Sequence, residues 1–354
     1  MENVNYSRND TYILIPAYKP DELLIKLLIG LKKEKFDVII VNDGSGEQYQ
    51  NIFDEASKYA TVLVQNVNRG KGAALRFGFS YVNLHQDNHN YVITCDADGQ
   101  HAIKDIIRIN DKLHETNNVV LGSRKFDKSV PKRSRNGNFM SRLCRTLLTK
   151  DYVPDDQCGL RGFPIKDVFN LVSLQGDHYE YEMNVICNLQ IKRLKFEEVP
   201  IETIYLDDNK SSHFRPNLDT FRIQRTIWMN AVAPFACALV SIALLGILSV
   251  IFKEPQINRY LFLAISYFFY FEALMGITTF VWPTRKMGRR VFIEGVYATI
   301  KTIMIFLIFT VLFELCHFYA VAAYTIALLL TFLSNFPLAY LAWKIKSRRD
   351  NGKK

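Results

Sequence analysis

Two aspartates one residue apart, Asp96 and Asp98, stand at the end of the apolar run Tyr91–Thr94 and are followed by Gly99, Gln100 and His101. The run predicts a buried strand. On a continued strand the two carboxylates would point to opposite faces. The spacing therefore predicts that the strand stops near Asp96 and that the chain turns, with Gly99 permitting the turn. Both carboxylates then converge on one point. Two hard oxygen ligands at the carboxyl end of a strand suit Mg²⁺ or Mn²⁺ carrying a substrate's phosphates. A lone Asp-x-Asp also describes an ordinary acidic surface turn, so the neighbouring motifs carry the decision.

Those motifs are polar, and several fall where an apolar run stops. Pro16-Ala17-Tyr18 ends one such run, and Asp43-Gly44-Ser45 ends another. Asn68-Arg69-Gly70-Lys71-Gly72 opens a helix, where free N–H groups, glycines and a lysine can meet phosphates or a ribose. It lacks the G-x-x-x-x-G-K-[ST] spacing of a P-loop. Ser123-Arg124 ends a further apolar run, and Pro131-Lys-Arg133-Ser134-Arg135-Asn-Gly-Asn138 is a basic loop before a helix. Arginine forks match phosphate oxygens, so this loop reads as an anion-accepting patch or as a solvated loop. A second carboxylate-bearing loop, Val153 to Phe163, holds Asp155 and Asp156. His178-Tyr-Glu-Tyr-Glu-Met183 and Lys210-Ser-Ser-His-Phe-Arg-Pro216 are further polar stretches.

The elements that must position these residues alternate. Strands are predicted over 12–18, 36–43, 61–65, 91–94, 119–124 and 197–205. Helices are predicted over 21–31, 47–59, from 68 onward, 139–149 and up to about Gln190. This alternation predicts a largely parallel, doubly wound α/β sheet. Ligands of such sheets sit beyond the carboxyl ends of the strands, where the polar motifs collect. Residues 217–227 predict an amphipathic helix with Phe221 and Ile223 on one side and Arg222 and Arg225 on the other, suited to a membrane surface.

The 354 residues carry a net charge of +9, unevenly spread. Residues 228–354 hold 13 Lys/Arg against 5 Asp/Glu, so the first part is nearly neutral and has no nucleic-acid footprint. Four apolar stretches, about 228–252, 260–282, 296–316 and 321–343, are each long enough to cross ~30 Å of hydrocarbon. Arg285-Lys286-Met-Gly-Arg289-Arg290 and the tail 344–354 hold ten of the thirteen basic residues, which predicts that both are cytoplasmic. Four spans then put the N-terminal part in the cytoplasm too. The six cysteines show no paired or metal-binding spacing, which predicts reduced thiols. The N-terminus has no signal-peptide core. Glu272, Lys301 and Glu314 fall within spans, and Lys301 paired with Glu272 or Glu314 is the expected clasp, a lipid-phosphate site the alternative.

Eight motifs in order carry a resemblance: Ile15–Tyr18, Val41–Ser45, Asn68–Gly72, Asp96–His101, Gly122–Arg124, Pro131–Asn138, Asp155–Arg161 and Ser211–Phe214. With them, residues 1–225 resemble the family-2 glycosyltransferases of the GT-A fold, and within them the dolichol-phosphate mannose synthases and bacterial polyprenyl-phosphate glycosyltransferases. The C-terminal part is similar in layout to the four-helix GtrA-like segment fused to some of these enzymes. The resemblance implies a GT-A domain over 1–212, a juxtamembrane helix over 213–227, four transmembrane helices over 228–343 and a basic tail over 344–354. It implies that Pro16, Ala17, Tyr18, Asp43, Lys71 and Asp96 hold a UDP- or GDP-linked sugar. Asp96, Asp98 and Gln100 would hold Mg²⁺ or Mn²⁺, and Arg124, Arg133, Ser134 and Arg135 the phosphate of a polyprenyl lipid. Asp98, Asp155 and Arg124 would carry the chemistry. The loop has Asp-Asp where many relatives have Asp-Thr or Asp-Pro, which leaves Asp155 and Asp156 both in view. The implied reaction is an inverting hexose transfer at the cytoplasmic membrane face, with the assembly state open. Two rivals are a processive polysaccharide synthase, whose Gln-x-x-Arg-Trp motif is approached by Gln190-Ile-Lys-Arg193-Leu194 without the tryptophan, and a membrane carrier for a lipid-linked sugar.

Overall fold

The computed structural model describes residues 6–86, 88–124, 132–149, 152–191, 194–202, 215–229, 232–251, 264–265 and 300–351. Contacts divide the chain into two compact units. The first gathers Met1–Arg142, Pro154–Leu189 and Leu194–Thr226; the second gathers Leu143–Val153, Gln190–Arg193 and Ile227–Lys354.

The first unit is built on a seven-stranded sheet in the order β3-β2-β1-β4-β6-β5-β7. The strands are β1 (Thr11–Ala17), β2 (Asp37–Asp43), β3 (Thr61–Gln65), β4 (Tyr91–Thr94), β5 (Val119–Arg124), β6 (Arg161–Pro164) and β7 (Phe196–Ile201). Pairs β1–β2, β2–β3, β1–β4 and β5–β7 are parallel, as the alternation predicted. Ile13, Leu14 and Ile15 in β1 are 0% exposed, as in a strand covered on both faces. The helices are α1 (Glu22–Lys33), α2 (Gln50–Ala56), α3 (Lys71–Leu84), α4 (Ile103–Thr116), α5 (Lys132–Thr149), α6 (Ile165–Val172), α7 (Glu180–Ile191) and α8 (Pro216–Met229); α1, α3, α4 and α6 pack on the strands, and α5, α7 and α8 run on into the second unit. Leu24, Leu28 and Leu31 of α1 join Ile13, Ile40 and Ile93 in one core. Asp21 caps α1, accepting from Leu23 N at 2.8 Å. The chain winds from β1 outward through β2 to β3, then crosses back to lay β4 on the other side of β1. That reversal, between β1 and β4, is where a doubly wound sheet opens a crevice.

Several elements differ from expectation. β6 departs from expectation: the sequence reads residues 161–163 as loop. It runs antiparallel to both β4 and β5. Four residues give too little period for a sequence reading, and their pairing is wholly non-local. α5 begins at Lys132, so the basic patch lies in its first turns and not in a loop before it; Lys and Arg are good helix formers. The helix expected over 47–59 is a 3-10 turn, Glu47–Tyr49, followed by α2. β7 is described over Phe196–Ile201, and Glu202 N–H donates to Asp105 Oδ2 at 2.9 Å; residues 203–205 of the expected strand lie outside the described residues. In α8, Phe221 is 65% exposed while Ile223 is 5% exposed. At about 100° per residue, positions two apart lie on opposite sides, which the one-sided reading overlooked.

In the second unit, α9 (Val232–Ile251), a helical stretch 300–310 and the helices Ala320–Leu333 and Asn335–Asn351 are present. Leu245, Ile305, Phe309, Ala323, Tyr324 and Ala327 form a core. The ring of Tyr152 lies 5.0 Å from that of Trp343 and 5.2 Å from that of Tyr340. Lys301 Nζ donates to Thr331 O and Ser334 Oγ. Among the described residues one helix, Ala320–Ile345, is long and apolar enough to cross a membrane. Glu272 and nearly all of the stretch expected over 260–282 lie outside the described residues.

Candidate active site

A cleft of about 350 Å³ opens at the carboxyl ends of β1, β2 and β4. Pro16, Ala17, Tyr18, Asp43, Lys71 and Asp96, expected to hold the donor, line it together with Asp98, expected to hold the metal.

β4 stops at Thr94, and Gly99 turns at φ 73°. Gln100 N donates to Asp98 Oδ1 at 3.0 Å, which fixes the turn around that carboxylate. Asp96 Oδ1 lies 2.7 Å from Lys71 Nζ, and its Oδ2 lies 3.5 Å from His101 Nε2. Both ring nitrogens of His101 are buried without a hydrogen-bond partner among the described residues. Burial by itself would raise the Asp96 pKa; Lys71 and then His101 outweigh it and hold the carboxyl below its usual range. Asp98 goes the other way: burial raises its pKa, and the Asp96 charge raises it further. The donor set thus fits a hard divalent cation: one carboxylate, Asp98, is short of positive charge, and Asp96 stands beside it. Among the described residues no three His, Cys, Asp or Glu side chains form a ready-made cage, so phosphate oxygens would have to complete the shell.

Asp43 has another task. Its Oδ1 accepts from Arg69 N at 2.8 Å; its Oδ2 accepts from Gly70 N at 2.8 Å and from Asn68 Nδ2 at 3.2 Å. The carboxylate folds the Asn68–Gly70 turn against β2. A Cβ on Gly44 (φ +63°) would come within 2.3 Å of Asn68 N, so only glycine admits that approach. Lys71, the first residue of α3, is delivered into the cleft by this turn.

Arg124 and Asp155 pair with each other at the end of β5. Arg124 Nε donates to Asp155 Oδ2 at 2.7 Å and Nη2 to Oδ1 at 3.1 Å. The same carboxylate accepts from Arg124 N and Gln157 N, each at 3.1 Å, and Asp155 is 3% exposed. Neither residue lines the cleft. Asp156 is also buried and accepts from Ser141 Oγ at 3.4 Å. Arg133, Ser134 and Arg135 lie on the first turns of α5; their side chains fall outside the described residues.

Other residues in and around the cleft were not foreseen as site residues. Glu182 Oε1, from α7, lies 3.1 Å from Lys71 Nζ, and the Tyr179 ring lies 5.6 Å from it. His178, Arg215, Asp219 and Arg222 complete the wall. Asp219 Oδ2 accepts from Arg215 N at 2.7 Å, and its Oδ1 from Arg222 Nη1 at 3.4 Å. Arg161 is buried behind them and donates to the carbonyls of Cys158, Glu182 and Asp156. From the sequence, Arg222 is expected on the polar side of a membrane-surface helix and Arg215 in the polar loop before it; in the structure both, with Asp219, line the cleft.

Residues 12–166 match the family described as Glycosyl transferase family 2. An uncharacterised protein of Methanocaldococcus jannaschii is 32% identical over 213 residues, covering 58% of this chain and 86% of the relative. The UDP-N-acetylglucosamine–dolichyl-phosphate N-acetylglucosaminyltransferase of Methanococcus voltae is 30% identical, covering 55% of this chain and 86% of its own. The dolichyl-phosphate beta-glucosyltransferase of Saccharomyces cerevisiae is 26% identical, covering 59% and 72%. With that match extending over most of two relatives' length, on a mostly parallel GT-A-like sheet, the chain belongs to glycosyl transferase family 2 and is a glycosyltransferase.

Proposed function

We propose that the protein transfers a hexose, with inversion, from a UDP- or GDP-linked donor to a polyprenyl phosphate at the cytoplasmic face of a membrane. The observation that carries this reading is the meeting of Asp96, Asp98 and Lys71 at the β1–β4 switch point, in a chain that continues into strongly apolar helices. The names of the archaeal and yeast relatives, both acting on dolichyl phosphate, favour the lipid acceptor.

The residues divide the work. Pro16, Ala17, Tyr18 and Asp43 bound the part of the cleft suited to base and ribose. Asp96 and Asp98, with Gln100, would hold Mg²⁺ or Mn²⁺. When bound, the divalent cation would neutralise charge that develops on the leaving diphosphate. Lys71, Arg215 and Arg222 offer further positive charge to phosphate oxygens. The acceptor phosphate is already anionic near neutral pH and needs no strong general base. Asp155 agrees with that: it accepts four hydrogen bonds and is spent on orienting Arg124. Arg124, with Arg133, Ser134 and Arg135, is assigned to aligning the acceptor phosphate with the anomeric carbon. The exposed Leu239, Val240, Ile247 and Leu329 suit a lipid environment for the acceptor's tail.

Purified full-length protein with Mg²⁺ or Mn²⁺, labelled nucleotide sugars and undecaprenyl phosphate should give an organic-extractable product. Asp96→Ala and Asp98→Ala should each abolish it; activity retained in both would remove the metal role.

A further inference from the structure

Lys71 is held by two carboxylates at once, Asp96 at 2.7 Å and Glu182 at 3.1 Å, and the first of these is also an assigned metal ligand. We propose that Lys71 is the resident counter-cation of the metal-free site, and that Glu182 is the positioning residue that keeps its ammonium in the cleft when a divalent ion claims Asp96. This rests on the metal reading given above.

The geometry separates the two carboxylates by what holds them. Asp96 lies on the turn after β4, with one oxygen on Lys71 and the other near His101. Glu182 lies in the first turn of α7, and its side chain is only 10% exposed. Its backbone carbonyl accepts from Arg161 Nη1 at 2.6 Å, and Arg161 is itself buried. The start of α7 is fixed again by Glu180 Oε1, which accepts from Asp177 N and His178 N. Gly72 brings α3 so near this block that a Cβ there would meet Tyr181 Cβ at 2.5 Å. Glu182 is therefore fixed relative to Lys71. A lysine ammonium has three donors on a flexible stem. It can release Asp96 and keep Glu182 without leaving the cleft, which turns its freed donors toward incoming phosphate oxygens. Without the Glu182 carboxylate, Lys71 would lean on Asp96 alone, and a metal would have to compete harder for that oxygen.

Mn²⁺ binding to the full-length protein, followed by electron paramagnetic resonance of the free ion, tests this without any turnover. Glu182→Gln should weaken Mn²⁺ binding at least fivefold in the wild-type background and less than twofold in the Lys71→Met background. Equal weakening in both would reduce Glu182 to one more negative charge near the ion and overturn the proposal, as would no change in the wild-type background. Glu182→Asp is the second variant: it keeps the charge and shortens the reach by one methylene. It should weaken binding when Lys71 is present and leave it unchanged in Lys71→Met; no effect in either background contradicts the proposal. Failure of the wild-type protein to bind Mn²⁺ would remove the metal reading itself, and this one with it.

Discussion

At the scale of single residues, Asp96 and Asp98 are neighbours with opposite titration behaviour, and the cause is what each faces. Lys71 compensates Asp96; Asp98 meets burial and the Asp96 charge. A carboxyl whose folded pKa is raised stabilises the fold fully below its unfolded value of about 4 and loses that contribution as pH rises through the raised value. Where Asp98 is ionised, it opposes folding of the metal-free protein. Asp98→Asn should raise the melting temperature in chelator and should weaken its dependence on pH above about 4 while transfer is lost. A melting temperature lower than wild type in chelator would contradict this. Gly159 lies against the other carboxylate: a Cβ there would stand 2.6 Å from Asp96 Oδ2 and 2.8 Å from Oδ1. Gly159→Ala should lower kcat/KM at least tenfold with the melting temperature nearly unchanged, because its own backbone angle does not demand glycine.

At the scale of elements, the site is a seam between pieces distant in sequence, and Arg161 stitches it. Standing at the start of β6, it reaches the carbonyls of Cys158 and Asp156 in the loop before it and of Glu182 in α7. Arg161→Met would leave three buried carbonyls without that donor, at a cost of about 3 kcal/mol or more. Arg161→Lys should rescue only in part, since a point charge cannot span three acceptors; thermal melts of both variants check this. The elements differed in how far they could be read. β1, β2, β4 and β5 announce themselves as apolar runs ending near Ala17, at Asp43, just before Asp96 and at Arg124, and the helices α1 and α3 by Asp21 and the Gly70-Lys71 turn. β6 did not, because Arg161-Gly-Phe-Pro has no alternation and pairs only with residues 40 to 73 positions away. Glu182 and Arg222 were hidden for a related reason. A charge on a helix reads as solvated until packing shows which neighbour it faces.

At the scale of the whole molecule, the chain joins a nucleotide-sugar-type cleft to helices whose outer surfaces are apolar. A soluble transferase would gain nothing from the second feature. An enzyme whose acceptor is a lipid phosphate needs both, since one substrate arrives from water and the other from the bilayer. Of the four apolar stretches expected from length and composition, one, within Ala320–Ile345, is met among the described residues by a helix long and apolar enough to cross a membrane. The choice of base and sugar was not legible, since Pro16, Ala17 and Tyr18 bound the cleft through shape and backbone and leave no coded signature.

The most direct measurement is mass spectrometry of the organic phase after incubating the purified full-length protein with a panel of nucleotide hexoses, Mn²⁺ or Mg²⁺, and a fixed polyprenyl phosphate. The expected result is the lipid mass increased by a single hexosyl unit, from one donor class, dependent on the added cation and absent with Asp96→Ala or Asp98→Ala. A panel that leaves the lipid phosphate unmodified with every donor and either cation would contradict the account.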